Sequence, residues 1–178
     1  RIASLVRLQA DGSWLPIKKV GILPENPYDV IDVQGNQICW TNYAIHPRWE
    51  YVSYNNLHLF NSATKSSKQL TGKQRYASPA LHPDGLHVAA IAIDAQINYQ
   101  IQLLRIADGE IEKSLPNRQQ VQYRFLAWQG DDLCAVIQHS NREGIVRIRA
   151  NGQVDTLLGL QTYALGQLAA DRNRLFFT

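Results

Sequence analysis

The fold is decided by one stretch of the sequence, Tyr76-Ala-Ser-Pro-Ala-Leu-His-Pro-Asp-Gly-Leu-His-Val-Ala-Ala-Ile91. It predicts two strands joined by a tight turn, in which Pro83 presets φ and Gly85 takes the left-handed conformation. The second strand is apolar at every position of 88–93. A strand that is apolar on both faces is covered on both faces. We therefore expect its even-numbered positions to face one neighbouring sheet and its odd-numbered positions the other.

Two interleaved sets of turns repeat along the chain. Turns of one set, such as Asp108-Gly109 and Asn151-Gly152, follow strands of alternating apolar residues. Turns of the other set contain Gly35, Gly85 and Gly130 and precede apolar strands. Within each set, the glycines recur at intervals of roughly 43 to 50 residues, which is the spacing of propeller blades. Two hairpins per period mean four antiparallel strands per period, so the repeat unit is predicted to be a blade of a β-propeller.

The predicted fold class is therefore all-β, a β-propeller segment with three whole four-stranded blades and two half-blades. No segment with helical periodicity and caps appears in the sequence. One propeller region, 1–178, is predicted, with an outer half-blade at 1–21, whole blades at 27–72, 73–116 and 118–159, and an inner half-blade at 160–178. The two half-blades could complete each other and close a four-bladed ring. An open arc of a larger propeller is the preferred interpretation, because the chain stops in the middle of a strand.

The blade at 73–116 resembles the TolB-type propeller repeat, in which a Pro-Asp-Gly turn links the inner two strands. The residues that carry the resemblance are the opening stretch and Ile101-Gln-Leu-Leu-Arg-Ile-Ala-Asp-Gly-Glu110. His82 stands where the family usually has Ser, and Lys68-Gln-Leu-Thr-Gly72 is similar to the family's strand-closing Leu-Thr. In the blade at 118–159, Gln129-Gly-Asp131 departs from this Pro-Asp-Gly pattern. The resemblance implies the fold and says little about function.

A fainter resemblance concerns the cell compartment. Parts of the sequence look like propellers of large envelope-associated or secreted bacterial proteins. These parts are Ile38-Cys-Trp-Thr41, His46-Pro-Arg-Trp-Glu-Tyr51 and the start of the blade at 73–116. This implies a periplasmic or extracellular location in a Gram-negative bacterium. The two cysteines, Cys39 and Cys134, lie in apolar strand patterns a whole blade apart. We expect them to be unpaired buried thiols.

Charge and motifs exclude several classes of function. The formal net charge is only +3 and Lys and Arg are scattered, so no basic stripe indicates nucleic-acid binding. No apolar run is long enough to span a bilayer. Gly-x-Ser-x-Gly, His-Glu-x-x-His, Cys-x-x-Cys and phosphate-binding glycine loops are all absent. We therefore expect no catalytic residue, no cofactor and no metal site, and interpret His82 and His87 as solvent-facing turn residues.

Two groups of residues are candidate binding sites. The first lies in an insertion of the blade at 27–72 and combines aromatic rings with Arg, a composition typical of binding surfaces. It comprises His46, Arg48, Trp49, Tyr51 and Tyr54. The alternative is that Trp49 and Tyr51 cover the edge of the blade.

The second group is an aromatic residue that recurs where each inner strand begins, with Arg beside it in two blades. Its members are Tyr28, Arg75, Tyr76, Tyr123, Arg124 and Tyr163. These positions are expected near one mouth of the central channel. Repeated packing residues are an equally good interpretation.

The preferred function is a non-catalytic module that binds a protein or peptide and belongs to a larger bacterial protein. The partner is either a separate protein or peptide, or the rest of the same polypeptide. The alternative is the substrate-gating propeller of a prolyl-oligopeptidase-like serine hydrolase whose catalytic domain is encoded outside this segment. A Gly-x-Ser-x-Gly motif further along the full gene would decide for the alternative. The fold by itself does not distinguish the two functions.

Overall fold

Sixteen β-strands and no helix occur in the residues described by the computed structural model, which are 3–21, 31–48, 52–117, 119–171 and 173–178. The expected fold class is confirmed. The strands are β1 (Ala3–Leu8), β2 (Trp14–Gly21), β3 (Asp32–Gln34), β4 (Gln37–Ile45), β5 (Ser53–Asn61), β6 (Ser67–Gln69), β7 (Tyr76–Leu81), β8 (His87–Ile93), β9 (Tyr99–Arg105), β10 (Ile111–Leu115), β11 (Gln122–Gln129), β12 (Asp132–His139), β13 (Arg142–Ile148), β14 (Val154–Gln161), β15 (Leu168–Ala170) and β16 (Leu175–Phe177).

The strands form five antiparallel sheets, numbered here as blades 1 to 5. Blades 2, 3 and 4 are four-stranded meanders, β3–β6, β7–β10 and β11–β14. Blade 1 is the pair β1–β2 and blade 5 is the pair β15–β16. These two pairs are separate sheets, so the described strands form an open arc and not a closed four-bladed ring.

Strand β8 confirms the expected division of its two faces. Val88, Ala90 and Ala92 pack in one apolar cluster with Leu57 and Leu59 of blade 2. The odd-numbered positions 89–93 pack in another cluster, which contains strands of blade 4. Each fully buried aliphatic side chain contributes roughly 1.5–3 kcal/mol. Blade 3 is thus held between its neighbours by both faces of one strand.

The two cysteines are free and buried, as expected. Cys39 belongs to the apolar cluster between blades 2 and 3. Burial raises the pKa of both thiols, which keeps them protonated and makes them poor nucleophiles.

Hydrogen bonds from side chains join the inner strands of adjacent blades. An inner strand has an unpaired edge, whose backbone groups need partners when they are buried. Asp32 Oδ2 accepts the Leu81 N–H at 2.6 Å, which joins β3 to β7. Ser78 Oγ accepts the Leu126 N–H at 3.0 Å, which joins β7 to β11. These bonds tie the blades together along the axis of the arc.

Burial of the charged Asp32 carboxylate lowers the free energy of unfolding by an amount that depends on pH. Burial raises the pKa of Asp32, and the N–H groups of Leu81 and Val33 offset this only in part. We expect Asp32→Asn, which retains a carbonyl oxygen for Leu81, to raise the free energy of unfolding at neutral pH. The folded-state pKa lies above the unfolded one, so the wild type gains stability as pH falls through the folded pKa. The advantage of the variant should therefore shrink on acidification.

Urea denaturation of both proteins between neutral and mildly acidic pH measures this difference. A variant that is less stable at neutral pH, by an amount that does not change with pH, would contradict the account of Asp32.

Candidate functional site

The arc has two faces, which we name by what they carry. The turn face carries the hairpin turns at Gly35, Gly85 and Gly130. The entry face carries the starts of the inner strands at Tyr76 and Gln122. Because the strands of each blade run antiparallel, the β4–β5 and β8–β9 loops also lie on the entry face. The described members of both groups of binding candidates therefore fall on one face.

The candidates in the β4–β5 loop are held by local contacts. His46 Nδ1 accepts the Arg48 N–H at 3.1 Å, and the backbone N–H of His46 donates to the Val52 carbonyl at 2.8 Å. The His46 ring lies 6.0 Å from the Tyr54 ring. Arg48 is exposed. Trp49 and Tyr51, which belong to the same group of candidates, lie outside the described residues, as does Tyr28.

The candidates at the strand starts are divided by burial. Arg75 and Tyr163 are exposed, whereas Tyr76 and Tyr123 are buried between blades. The Tyr76 hydroxyl donates to Gln102 Oε1 at 2.6 Å, and burial raises the pKa of Tyr76 to about 12. These contacts favour the packing interpretation for the two buried rings. A parallel bridge between Asn55 and Arg75 places Arg75 beside strand β5, which carries Tyr54.

Arg124 is engaged in a buried ion pair. Its guanidinium contacts Glu143, and the two side chains are 14% and 5% exposed. Glu143 Oε2 also accepts the Leu165 N–H at 2.6 Å, which connects blade 4 to the segment that leads into blade 5. Arg124 thus joins β11 to β13, and the geometry gives it a structural role.

A groove lined by amide side chains lies on the entry face between blades 3 and 4. It encloses about 490 Å³. Its amides come from both blades and from the segments before their inner strands: Gln74, Asn98, Gln100, Gln102, Asn117, Gln120 and Gln122. An amide side chain carries two donors and an oxygen acceptor, which is the set of groups that a peptide backbone needs. Within the groove, Asn98 and Asn117 already use amide donors for bonds inside the chain. This groove was not predicted from the sequence, although the alternation of Gln100 and Gln102 places two amides on one face of β9.

The turn face carries a second cluster, at the Pro83-Asp84-Gly85 hairpin. Asp84 Oδ2 lies 3.0 Å from His82 Nδ1 and 2.6 Å from His87 Nδ1. The side chains of His82, Asp84 and His87 are 17%, 32% and 26% exposed. The two histidines, expected to face solvent, are turn residues that remain partly exposed, and the hairpin folds both rings over Asp84.

Neighbouring groups fix this cluster. His87 Nε2 lies 3.0 Å from Glu112 Oε2 on β10, and the His82 ring meets the Trp128 ring edge to face at 4.4 Å. Partial burial raises the pKa of Asp84, but the Leu86 N–H, His87 and His82 outweigh it and hold the pKa at about 2. Asp84 is therefore a carboxylate at neutral pH.

Comparison with solved structures identifies similar folds. A chain of a nidogen/laminin complex is 16% identical over 98% of this chain and 63% of its own, with a TM-score of 0.70. TolB from Acinetobacter baumannii is 14% identical over 96% of this chain and 41% of its own, with a TM-score of 0.64. The propeller domain of the Trilobed protease from Pyrococcus furiosus, described as having an open velcro topology, is 11% identical over 83% of this chain and 47% of its own, with a TM-score of 0.61.

These similarities establish the β-propeller fold. The chain spans less than two thirds of the length of each of these proteins. No protein-family model and no curated protein matches the sequence. Within the part of the chain that is described, no helix has the length and apolar character required to cross a membrane. The chain is thus a propeller segment with a candidate binding groove on one face and a His-Asp-His cluster on the other.

Proposed function

We propose that this chain is a non-catalytic propeller module that binds a peptide or an extended protein segment on its entry face, as part of a larger bacterial protein. The observation that carries the proposal is the amide-lined groove between blades 3 and 4. An extended peptide leaves half of its N–H and C=O groups directed to each side, and amide side chains satisfy both kinds of group. The exposed Arg75 at the start of blade 3 adds a positive charge to this face.

The rigidity of the groove supports this role. Gln102 is held by the Tyr76 hydroxyl, and its amide nitrogen lies 3.4 Å from Gln100 Oε1. Asn117 Nδ2 donates to the carbonyls of Tyr99 and Val121. Side chains that are already ordered lose little conformational entropy when a ligand binds.

Selection of a phage-displayed random peptide library on the immobilised chain tests the proposal. We expect peptides that bind the wild type and that bind the double variant Gln100→Ala/Gln122→Ala at least about tenfold more weakly, the effect of losing roughly 1.4 kcal/mol. Gln9→Ala is the matched control, because Gln9 lies in the turn of blade 1, where its side-chain amide donates to Ser13 Oγ. Selected peptides that bind the double variant as tightly as the wild type would exclude the groove as the site.

The second candidate function is a propeller that gates substrate access to a serine hydrolase domain. The similarity to the propeller domain of the P. furiosus Trilobed protease favours it. A fluorophosphonate probe, which reacts with active-site serines, distinguishes the two functions when it is applied to the full-length protein. We expect no labelling for a binding module, whereas labelling abolished by mutation of a serine in a Gly-x-Ser-x-Gly motif would establish the hydrolase.

A periplasmic or extracellular location is proposed on the basis of the TolB-type turn and the similarity to A. baumannii TolB. Partners are proposed to be proteins or peptides, and include the remainder of the parent polypeptide. This proposal involves no nucleic acid, in agreement with the low net charge.

A further inference from the structure

We infer that His82, Asp84 and His87 form a binding site for a divalent transition-metal ion of the zinc class, with Glu112 as the residue that positions His87. One atom of each of the three side chains, two imidazole nitrogens and one carboxylate oxygen, lies within 4.8 Å of the others. A tetrahedral zinc ion with bonds of roughly 2.1 Å holds its ligand atoms about 3.4 Å apart. The Nδ1 atoms of His82 and His87 lie 3.0 and 2.6 Å from Asp84 Oδ2, so binding requires the carboxylate and the rings to move apart by less than about 1 Å.

The hairpin backbone prepares Asp84 for this role. Its Oδ1 accepts the Leu86 N–H at 2.7 Å and the His87 N–H at 3.2 Å, which are the bonds that hold the turn. These bonds leave Oδ2 directed at the two imidazole rings. The backbone N–H of His82 donates to the His87 carbonyl at 2.9 Å, so the two histidines lie opposite each other at the end of the β7–β8 hairpin.

The Nδ1 atoms of both rings lie beside Asp84. His82 Nδ1 accepts the Asp84 N–H at 3.2 Å, so this nitrogen carries a lone pair, which a metal ion takes over from the N–H. His87 Nε2 lies 3.0 Å from Glu112 Oε2, and His87 Nδ1 is hydrogen-bonded to Asp84 Oδ2 at 2.6 Å. A metal ion binds in place of the proton shared by His87 Nδ1 and Asp84, and the Nε2–H then donates to Glu112. The ion lies between the Asp84 oxygen and the two Nδ1 atoms, which are 3.0 and 2.6 Å from that oxygen without metal.

The pair Glu112–His87 has the arrangement of a carboxylate that orients a metal-binding imidazole. Metal-ligating histidines commonly donate their second ring N–H to such a carboxylate, which fixes the tautomer. Two nitrogens and one oxygen are a donor set for Zn²⁺, Co²⁺ or Ni²⁺, whereas Ca²⁺ and Mg²⁺ prefer oxygen ligands. The three side chains also line a cavity of about 310 Å³, which provides an entry path and room for a water molecule as the fourth ligand.

Isothermal titration of the 178-residue chain with ZnCl₂ tests the inference. We expect one Zn²⁺ per chain, at least about 100-fold weaker binding in His87→Ala, and 10- to 100-fold weaker binding in Glu112→Gln, the range seen for residues that orient a ligand. His139→Ala is the control, because His139 is exposed and belongs to another blade. It should bind Zn²⁺ as the wild type does.

Imidazole nitrogen NMR shifts of the same samples add a readout that does not depend on affinity. We expect Zn²⁺ to perturb Nδ1, and not Nε2, of His82 and His87. Thermal unfolding of His87→Ala without metal shows whether this variant is folded, and Glu112→Gln serves in its place if it is not. The absence of saturable Zn²⁺ binding, or binding that His87→Ala and Glu112→Gln leave unchanged, would overturn the inference and leave His87 as a residue hydrogen-bonded between Asp84 and Glu112.

Discussion

Gly109→Ala is expected to destabilise the chain by at least about 3 kcal/mol, because the added methyl group meets the backbone of the neighbouring blade. A Cβ atom at position 109 would lie 2.1 Å from the carbonyl oxygen of Leu70. Leu70 is buried in the cluster between blades 2 and 3, and its N–H donates to Leu57, so this backbone cannot move freely. Gly109 also has φ of +79°, which L-residues rarely adopt.

Gly130→Ala separates these two causes. Gly130 has φ of +63° and no atom within 4 Å of the position that a Cβ would take. This variant should lose only the conformational term, about 1–2 kcal/mol. Urea denaturation with unchanged m-values measures both losses. Equal losses in the two variants would show that Gly109 does not contact blade 2 as described.

Glu143→Ala is the second change with a large expected effect, about 3–5 kcal/mol of the free energy of unfolding. The substitution leaves the Arg124 guanidinium partly buried without this carboxylate, and it removes the acceptor of the buried Leu165 N–H. Since Leu165 packs against Phe125 and Ile145, loss of its hydrogen bond should weaken the packing of the segment that leads into blade 5. Glu143→Gln keeps an oxygen for the Leu165 N–H and should be affected less.

An exposed ion pair provides the comparison. Arg105 Nη2 lies 3.0 Å from Glu110 Oε2, and the Glu110 side chain is 75% exposed. We expect Glu110→Ala to have little effect on stability, because exposed pairs gain little in water. Thermal unfolding of the three variants tests the difference. A Glu143→Ala protein as stable as Glu110→Ala would contradict the structural role of the Arg124–Glu143 pair.

The strands could be predicted from the sequence because their turns are local. The turns at Gly35, Gly85, Gly130 and Gly152 all have positive φ, and the residue type alone indicates this conformation. The two faces of β8 were equally predictable, since alternation along a strand follows from backbone geometry. Local chemistry therefore sufficed for the number and order of strands.

The sites depend on contacts between distant residues, and here the sequence was insufficient. Arg124 was a candidate for ligand binding, but its partner Glu143 lies two strands further along the chain. The ring of Tyr76 lies in the layer between blades 2 and 3, a position set by the packing of whole sheets. The amides of the entry-face groove come from two blades, and no local pattern brings Gln100 and Gln122 together.

The His82–His87 pair is a cluster for which the sequence held a usable signal. In a tight hairpin, residues that flank the turn lie opposite each other. The two histidines match no linear ligand spacing of a known metal motif, which is why the sequence alone did not indicate them. Pairing the two strands across the Pro83-Asp84-Gly85 turn brings His82 and His87 together, with both rings beside Asp84.

The central claim is that the chain is an open arc of propeller blades joined along their inner strands. Cross-strand nuclear Overhauser contacts in the isotope-labelled chain test it most directly. We predict contacts between Ala89 and Leu103 within blade 3, and between Ser78 and the Leu126 amide across blades 3 and 4. A ladder of contacts between β16 and β1 would contradict the account, because these strands would then complete one blade and close a four-bladed ring.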